Sequence, residues 1–381
     1  METFTQEQKM LRDKMRKFCH EKVAGRAAEA DETGEYPWDL HQLFMDSGFF
    51  NMRVPTEYGG KAMDFTSCCI ILEELTRVDG ALGIEVAHHQ SGMCCFMDGA
   101  SRGQREKFLP RIGRGDFLVG FVLTEPDAGS DAFSLKTEAV ADGNDYVING
   151  SKCFISNGWI TDLYVVFATV NPDLRRNGIT AFLVEKETQG FRIGEAEKKL
   201  GFRVQPTCPL IFEDMRVPKD NVLGEAGKGW EIVLHSLTES RIQIAVMSLG
   251  IAQGAMEVAV SYAKKREQFG QPIGNFQDVS FMLADMAIQV ECARALIYKI
   301  ASMVDMGQGQ KQHYFASIAK CFASDMALKV TTDAVQVLGG YGHTKEYPVE
   351  KMMRDAMAMP IIEGTNQIQR LQIAKNLMKI Y

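Results

Sequence analysis

The spacing of apolar residues changes twice along the chain, and these two changes constrain the fold more than any other feature of the sequence. From residue 4 to about residue 120, apolar positions recur at helical intervals between turns that contain Gly and Pro. From residue 118 to 212 they form short runs rich in β-branched and aromatic residues, separated by Asp-Gly and Asn-Gly turns. From Trp230 onward the helical spacing returns. The sequence therefore predicts a helical part, a β part and a second helical part.

The predicted helices of the last part are long and apolar on more than one face. They are rich in Ala and Met, and they cover residues 231–268, 277–306, 310–338 and 366–379. Such helices must be buried on several sides, which predicts a bundle that also forms a subunit interface. The short runs of the middle part favour an antiparallel barrel or sandwich. The predicted fold class is multidomain α+β, with an all-α domain at 1–120, an antiparallel β domain at 121–230 and a four-helix bundle at 231–381.

Composition and charge exclude several classes of function. The formal net charge of −7 leaves no basic surface of the kind that nucleic-acid binding requires. No apolar run approaches the length of a membrane span, and the N-terminus lacks the pattern of a signal or transit peptide. The nine cysteines lack the spacing of a metal site. We therefore expect reduced thiols, no metal and a cytoplasmic location.

A single carboxylate, Glu363, stands in the stretch 360–370 (PIIEGTNQIQR), between apolar residues and a glycine. Gly364 permits a tight or left-handed turn, and Thr365 can cap a helix that begins at Asn366. Glu363 should lie on this turn beside apolar side chains, where lost solvation raises the pKa of a carboxyl group toward that of a general base. The alternative is an exposed Glu at an ordinary helix N-terminus.

Five stretches together point to a known family. They lie in that family's order and spacing along almost the whole chain, and they are residues 123–131 (LTEPDAGSD), 149–157 (NGSKCFISN), 265–270 (KREQFG), 336–342 (QVLGGYG) and 362–367 (IEGTNQ). In them the chain resembles the acyl-CoA dehydrogenases, flavoproteins that desaturate acyl-CoA thioesters between the α and β carbons. The resemblance is greatest to the short- and medium-chain members. A G-x-G-x-x-G motif after a strand and a Walker loop are both absent, which excludes the Rossmann and P-loop alternatives.

The resemblance implies bound FAD and a set of residues that contact it. Thr124 and Ser130 supply hydroxyls beside a turn whose backbone amides suit a flavin edge or a pyrophosphate. Arg266 can pair with a pyrophosphate through two N–H groups. In the family, this arginine and the stretch 336–340 reach the flavin of a neighbouring subunit. The implied FAD-binding residues are Phe121, Leu123, Thr124, Ser130, Phe154, Ile155, Ser156, Arg266, Phe269, Gln277, Gln336, Val337, Gly339, Gly340, Thr365 and Gln367.

Taken singly, these stretches also have structural interpretations. Residues 123–131 could form an Asp-capped turn, Phe154 could be a core aromatic residue, and Arg266 could end a helix before a glycine. The chain also departs from the family at Phe154 and Ser156, where Trp and Thr are common. Stacking on the flavin survives these changes, but contact area and the indole N–H are lost.

The resemblance implies that Glu363 is the catalytic base. Some relatives place the base on the bundle helix directly before an arginine, but Ser240 occupies that position here, before Arg241. Glu239 is one residue away and would point about a quarter turn aside. Arg241 matches the family's CoA-contacting arginine, whereas Thr238 stands where the medium-chain pattern has Asp.

The acyl pocket shows two further peculiarities. Ile362 replaces a common Tyr, which reshapes the pocket wall beside the base. On the predicted helix 81–97, Glu85 and His89 share one face and match the far end of the acyl cavity. They could pair with each other or face solvent; alternatively they select a short acyl group or one with a polar or cationic end. The implied substrate-binding residues are Ser130, Thr238, Arg241, Gly364, Glu85 and His89.

The implied reaction moves the substrate α-proton to Glu363 and the β-hydride to flavin N5. Hydrogen bonds from the flavin ribityl chain and the Glu363 backbone N–H stabilise the developing enolate. Electron-transferring flavoprotein is the expected electron acceptor, because the sequence shows no second redox site, and a homotetramer is the expected assembly. Two alternatives stay open: the same site run in reverse as an enoyl-CoA reductase, and a non-catalytic acyl-CoA-binding paralogue.

Overall fold

The computed structural model describes residues 4–308 and 313–380. Its first part is helical, as predicted, and contains α1 (Gln6–Phe18), α2 (Ala24–Thr33), α3 (Trp38–Ser47), α4 (Phe65–Thr76), α5 (Gly80–Gly99) and α6 (Arg102–Gly113). A single π-helical turn, Cys19–Val23, joins α1 to α2. Helix α2 was not predicted, although its sequence is rich in the strong helix formers Ala and Glu.

The middle part is one eight-stranded sheet. Its strands are β1 (Val119–Val122), β2 (Glu138–Asp142), β3 (Asp145–Ser156), β4 (Leu163–Thr169), β5 (Ile179–Glu185), β6 (Phe191–Ile193), β7 (Thr207–Pro218) and β8 (Val222–Leu223). They follow the order β6-β7-β3-β2-β4-β5-β8, with β1 also paired to β4. The sheet is mixed, because β1 and β2 run parallel to β4 while the other pairings are antiparallel.

The last part is helical again and is built around α7 (Gly229–Lys265), which is 37 residues long. A two-stranded hairpin follows it, formed by β9 (Glu267–Gln268) and β10 (Gln271–Pro272). The remaining helices are α8 (Gln277–Asp305), α9 (His313–Leu338), α10 (Val349–Ala356) and α11 (Asn366–Ile380). The predicted start of α9, at residue 310, lies outside the described residues.

Burial explains why α7 is so apolar. Among the described helices, α7 alone has the length and mean hydropathy of a membrane span, but 67% of its most apolar window is buried inside the protein. Its residues share a core with α4, α5, α8, α9 and α10. A second core joins α5 and α6 to β1, β4 and β5, so the sheet packs directly on the first helical part.

One buried cluster ties the three parts together. Asp79, which caps α5, pairs with Lys351 of α10 at 2.8 Å. Lys351 also pairs with Asp355, at 2.7 Å, and Asp355 accepts a hydrogen bond from the Phe202 backbone N–H in the middle part. These contacts fix the segment that leads from α10 to Glu363. The domain boundaries at 120 and 230 stay a prediction, although strands begin at Val119 and the long helix at Gly229.

Candidate active site

Glu363 lies on a strained turn between α10 and α11. Its φ is +54° and that of Gly364 is +84°, so two successive residues occupy the left-handed region. The Thr365 hydroxyl accepts a hydrogen bond from the Ile368 backbone N–H and caps α11, as predicted. The residue before the base, Ile362, packs against the core, whereas Ile361 is 61% exposed. A non-glycine residue at positive φ costs free energy, and the contacts around this turn maintain it.

The Glu363 carboxylate faces α7. The Ser240 hydroxyl donates a hydrogen bond of 2.9 Å to Glu363 Oε2, and the Arg241 Nε lies 3.5 Å from the Glu363 carbonyl oxygen. Loss of solvation raises the pKa of Glu363. The Ser240 hydrogen bond and then the positive charges of Arg241 and Lys320 oppose that rise. On balance the pKa of Glu363 stays above its ordinary value, which is the direction that makes a carboxylate a better proton acceptor.

Glu239, the carboxylate next to Ser240 on α7, forms an ion pair away from Glu363. Glu239 pairs with Arg53, a residue from the loop after α3, so it does not join the Glu363 cluster. Thr238 contacts His313, the first residue of α9. Burial and then repulsion by Arg241 lower the pKa of His313, which favours the neutral imidazole. The sequence prediction included Thr238 but gave no role to His313.

A buried hydrogen-bond network behind the turn was not predicted. Gln369 Nε2 donates to the carbonyl oxygens of Glu363 and Gly364, at 3.2 and 2.8 Å. Lys320 Nζ donates to Gly364 O at 3.0 Å and to Asn366 Oδ1 at 2.9 Å. Lys320 is fully buried. The only sequence signal for it was a lysine within a run of small residues, Ala-Lys-Cys.

The proposed flavin face centres on a β-bulge. The register between β3 and β7 shifts between Lys152 and Ile155, and Phe154 in this bulge has a φ of +56°. A bulge re-aims its side chain, and Phe154 is 66% exposed rather than part of the core. The Cys153 backbone N–H donates to the Thr124 carbonyl oxygen at 2.9 Å. The structure therefore brings the stretches 123–131 and 149–157 together.

A second fully buried lysine holds this face in place. Lys152 Nζ donates to the Leu123 carbonyl oxygen at 3.0 Å and pairs with Glu125 at 2.8 Å. Glu125 also accepts the backbone N–H groups of Lys136 and Thr137. Leu123 itself is buried, so only its backbone is available to a cofactor. Ile155 is likewise buried, while Phe121, Thr124 and Ser156 are partly exposed and Ser130 is exposed.

The remaining predicted FAD contacts lie at the end of α7, at the start of α8, at the end of α9 and, for Thr365 and Gln367, directly after Glu363. Arg266 ends α7, and the hairpin turn after it places Phe269 at φ +51° with 94% exposure. A Cβ on Gly339 or Gly340 would meet nothing within 4 Å, so their backbone is open to a close approach. Gln277, Gln336 and Gln367 are exposed and Val337 is buried. An exposed phenylalanine in a strained turn suits a surface that contacts a neighbouring subunit. That these residues bind the flavin of a neighbouring subunit stays a prediction.

Glu85 and His89 do not pair with each other. Glu85 is 1% exposed and its carboxylate lies 2.6 Å from His41 Nδ1 on α3. His89 accepts the Val119 backbone N–H at Nδ1 and donates from Nε2 to the Phe50 carbonyl oxygen at 2.5 Å. The alternatives of a Glu85–His89 pair and of a solvent-facing Glu85 are both wrong. Glu85 is buried against α3, and His89 forms its hydrogen bonds with β1 and with the loop that contains Phe50.

Burial lowers the pKa of His89 to about 4, so its imidazole is neutral at neutral pH. The face of α5 that joins the core with α7 carries Ala81, Ile84 and Ala87 instead. Among the described residues, no hydrogen bond of Glu85 or His89 involves a residue of the Glu363 turn.

The donor set fits a dinucleotide flavin. The exposed Phe154 ring can lie against an aromatic cofactor, and the adjoining turn presents the Thr124 and Ser130 hydroxyls. Arg266 supplies a cation, and Gly339 and Gly340 supply open backbone, of the kind that a pyrophosphate requires.

Comparison with known proteins decides the family. Models of the acyl-CoA dehydrogenase N-terminal, middle and C-terminal domains match residues 5–116, 120–215 and 227–378. The chain belongs to the acyl-CoA dehydrogenase family. It is 44% identical over 375 residues to an acyl-CoA dehydrogenase of Bacillus subtilis, with 98% of each chain covered.

Solved structures agree with this assignment. Butyryl-CoA dehydrogenase of Megasphaera elsdenii has a TM-score of 0.95 at 39% identity, with 99% of each chain covered. A chain from a study of the electron-transferring flavoprotein of Acidaminococcus fermentans and flavin-based electron bifurcation has a TM-score of 0.95 at 42% identity, with 98% of each covered. The predicted resemblance, the three-part fold class and a flavin-dependent oxidoreductase with FAD are thereby confirmed.

Proposed function

We propose that this acyl-CoA dehydrogenase desaturates a short acyl-CoA thioester and that Glu363 removes the substrate α-proton. The observation that carries the proposal is the Glu363 carboxylate, held on a positive-φ turn by Ser240 and by the α9 network. Its raised pKa places it closer to the working range of a general base than an ordinary Glu. Bound FAD supplies the acceptor for the β-hydride.

The same turn offers a donor to the substrate. Among the hydrogen bonds of the described residues, none uses the Glu363 backbone N–H as its donor. This N–H can therefore donate to the thioester carbonyl oxygen, where negative charge develops as the α-proton leaves. Because the carboxylate and the N–H belong to one residue with fixed φ, the turn orients the base and the carbonyl donor together. Arg241, buried beside the turn, is the proposed CoA contact.

A short acyl group has more support than a polar one. The relative from Megasphaera elsdenii acts on butyryl-CoA by its name. The polar alternative depended on Glu85, whose carboxylate already has His41 as a partner. A paired, buried carboxylate has little reason to recognise a cationic acyl end, because breaking the pair is expensive. We therefore rank short straight or compact acyl groups first.

Electron-transferring flavoprotein is the proposed acceptor. A chain 42% identical to this one comes from a study of that flavoprotein and of electron bifurcation. The enoyl-CoA reductase alternative uses the same residues, and only the potential of the acceptor separates the two directions. A non-catalytic binding paralogue would have no reason to keep the strained turn of Glu363, which costs free energy.

Replacing the base tests the proposal. Purified protein should be yellow, and its flavin should bleach anaerobically with butyryl-CoA faster than with octanoyl-CoA. Glu363→Gln keeps the shape of the side chain and should lose several orders of magnitude in bleaching rate. The exposed Glu346→Gln is the matched control and should behave as wild type. Bleaching of Glu363→Gln at a near wild-type rate would show that another group is the base.

The assembly can be tested separately. We propose that Arg266, Phe269 and the glycines 339 and 340 complete the FAD site of a neighbouring subunit in a homotetramer. FAD retention should then depend on oligomerisation. Light scattering combined with flavin absorbance should find FAD only in the oligomer, and Arg266→Ala should weaken its retention. A monomer that holds one FAD per chain would refute this arrangement.

A further inference from the structure

Lys320 is a fully buried cation that the catalytic scheme does not use. Its side chain, on α9, is 0% exposed. Its hydrogen-bond acceptors among the described residues are Gly364 O at 3.0 Å and Asn366 Oδ1 at 2.9 Å, and both are neutral. A buried ammonium is costly unless a negative charge compensates it. The chain must therefore provide that charge from a group that Lys320 does not touch directly.

The charges around Lys320 identify that group. Among the acidic groups that act on the Lys320 ammonium, Glu363 has the largest effect and Asp325 the smallest. Asp325 is exposed and already pairs with Arg370 at 2.6 Å. Burial lowers the pKa of Lys320 to about 8 even with Glu363 nearby. The Glu363 carboxylate is thus the principal partner charge.

Several other groups face Glu363 and Lys320. From α7 come the Ser240 hydroxyl and the Arg241 guanidinium, which is always charged. From α5 comes the Cys95 thiol, whose pKa burial raises to about 12, so that it is neutral. On α9 the pKa of Cys321 is also raised by burial. Lys320 is therefore the nearby cation that can lose its charge within the range of ordinary assays.

We propose that Lys320 is a positioning residue for the reaction: its ammonium fixes the Glu363–Gly364 turn through the Gly364 carbonyl and adds to the positive charge of Arg241 that keeps Glu363 ionised before the substrate proton arrives. This inference rests on the proposed role of Glu363 as the base. A lysine at this place acts on the turn in two ways, because one group both donates the hydrogen bond and carries the charge. Asn366 holds the Lys320 ammonium in place, because its Oδ1 accepts hydrogen bonds from Lys320 Nζ and from Ser324 Oγ, the latter at 3.1 Å.

Substitutions can separate charge from hydrogen bonding. Lys320→Gln keeps an N–H donor but removes the charge, Lys320→Met removes both, and Lys320→Arg keeps the charge. Lys329→Gln removes the same charge from an exposed position of the same helix and is the matched control. A nearby positive charge lowers the pKa of a carboxyl group, and Lys320 acts on Glu363 in this direction, after Ser240 and Arg241. The acid limb of the pH profile should therefore move to higher pH in Lys320→Gln and Lys320→Met, but not in Lys329→Gln.

A readout that needs no turnover keeps this test distinct from the proposed function. Infrared titration of the purified FAD-bound protein follows protonated carboxyl groups, and the band lost in Glu363→Gln identifies Glu363. Its midpoint should rise in Lys320→Gln and Lys320→Met and stay near wild type in Lys320→Arg. An unchanged midpoint in the folded Gln or Met variant overturns the inference. If the wild type fails to bleach with any acyl-CoA while the midpoint still shifts, the proposed function fails and the charge coupling stands.

Discussion

Removing the partner of the buried Glu85 carboxylate should destabilise the first helical part of the chain. Glu85 is 1% exposed, and its contact with His41 Nδ1 is 2.6 Å. The Tyr36 hydroxyl lies 2.8 Å from the same nitrogen, and burial and then Glu85 raise the pKa of Tyr36. His41→Phe keeps an aromatic ring in contact with Phe50 but leaves the carboxylate without its imidazole partner.

Leaving a buried polar group without its hydrogen-bond partner costs about 1–3 kcal/mol, and more where the group is charged. His41→Phe should fall near the lower end of that range, because the Tyr36 hydroxyl remains beside the carboxylate and the ring contacts survive. The double variant His41→Phe/Glu85→Leu replaces both polar groups by apolar ones and should recover most of the loss, since well-packed apolar residues can substitute for a buried polar pair.

Denaturant unfolding followed by tryptophan fluorescence is the assay. Trp38 lies 5.6 Å from the His41 ring and 5.4 Å from the Trp159 ring, so the emission reports on this cluster. The same variants should rank acyl-CoA substrates as the wild type does. The reasoning is refuted if His41→Phe unfolds at the wild-type denaturant concentration. It is also refuted if Glu85→Gln changes the ranking of substrates while leaving stability intact, because Glu85 would then act in the pocket.

Three further changes test the site itself. Ser240→Ala removes the hydrogen bond that lowers the pKa of Glu363; since only the ionised base accepts a proton, the acid limb of the bleaching rate should move up by about one pH unit. Gly364→Ala places a Cβ 2.8 Å from Gln369 Nε2 at a φ of +84°, so stability should fall by about 1–2 kcal/mol and the bleaching rate should fall with it; unchanged values in both assays would contradict the strained turn. Phe154→Ala removes the exposed ring, and FAD dissociation measured by flavin fluorescence should become up to about tenfold faster; an unchanged rate would place the flavin elsewhere.

Local sequence rules succeeded where function depends on one short segment. The stretch 360–370 contains the carboxylate, the glycine and the cap together, so its turn and the start of α11 were predictable from residue types alone. The sequence matched Phe154 to a flavin-contacting position of the family, but it did not predict that the side chain is exposed. The bulge that exposes it arises from the pairing of β3 with β7, and the two strands are far apart in sequence.

Helix periodicity was least informative where several helices compete for one residue. Glu85 and His89 share a face of α5, and spacing alone made them candidates for one site. The partners that decided their roles come from α3, β1 and the loop at Phe50. No local rule ranks such partners, because each contact depends on how the helices and the sheet pack.

The sequence by itself determined the order of helical, β and helical parts, the family and the identity of the candidate base, because these depend on periodicity and on residues close together in the chain. Only the tertiary structure decided which charges surround Glu363 and which carboxylates are already paired. Ser240 and Arg241 contact Glu363, and Lys320 contacts Gly364, from two helices whose contacting residues lie 43 to 123 residues before Glu363. Burial among them sets the acidity of Glu363, and burial is a property of the packed molecule.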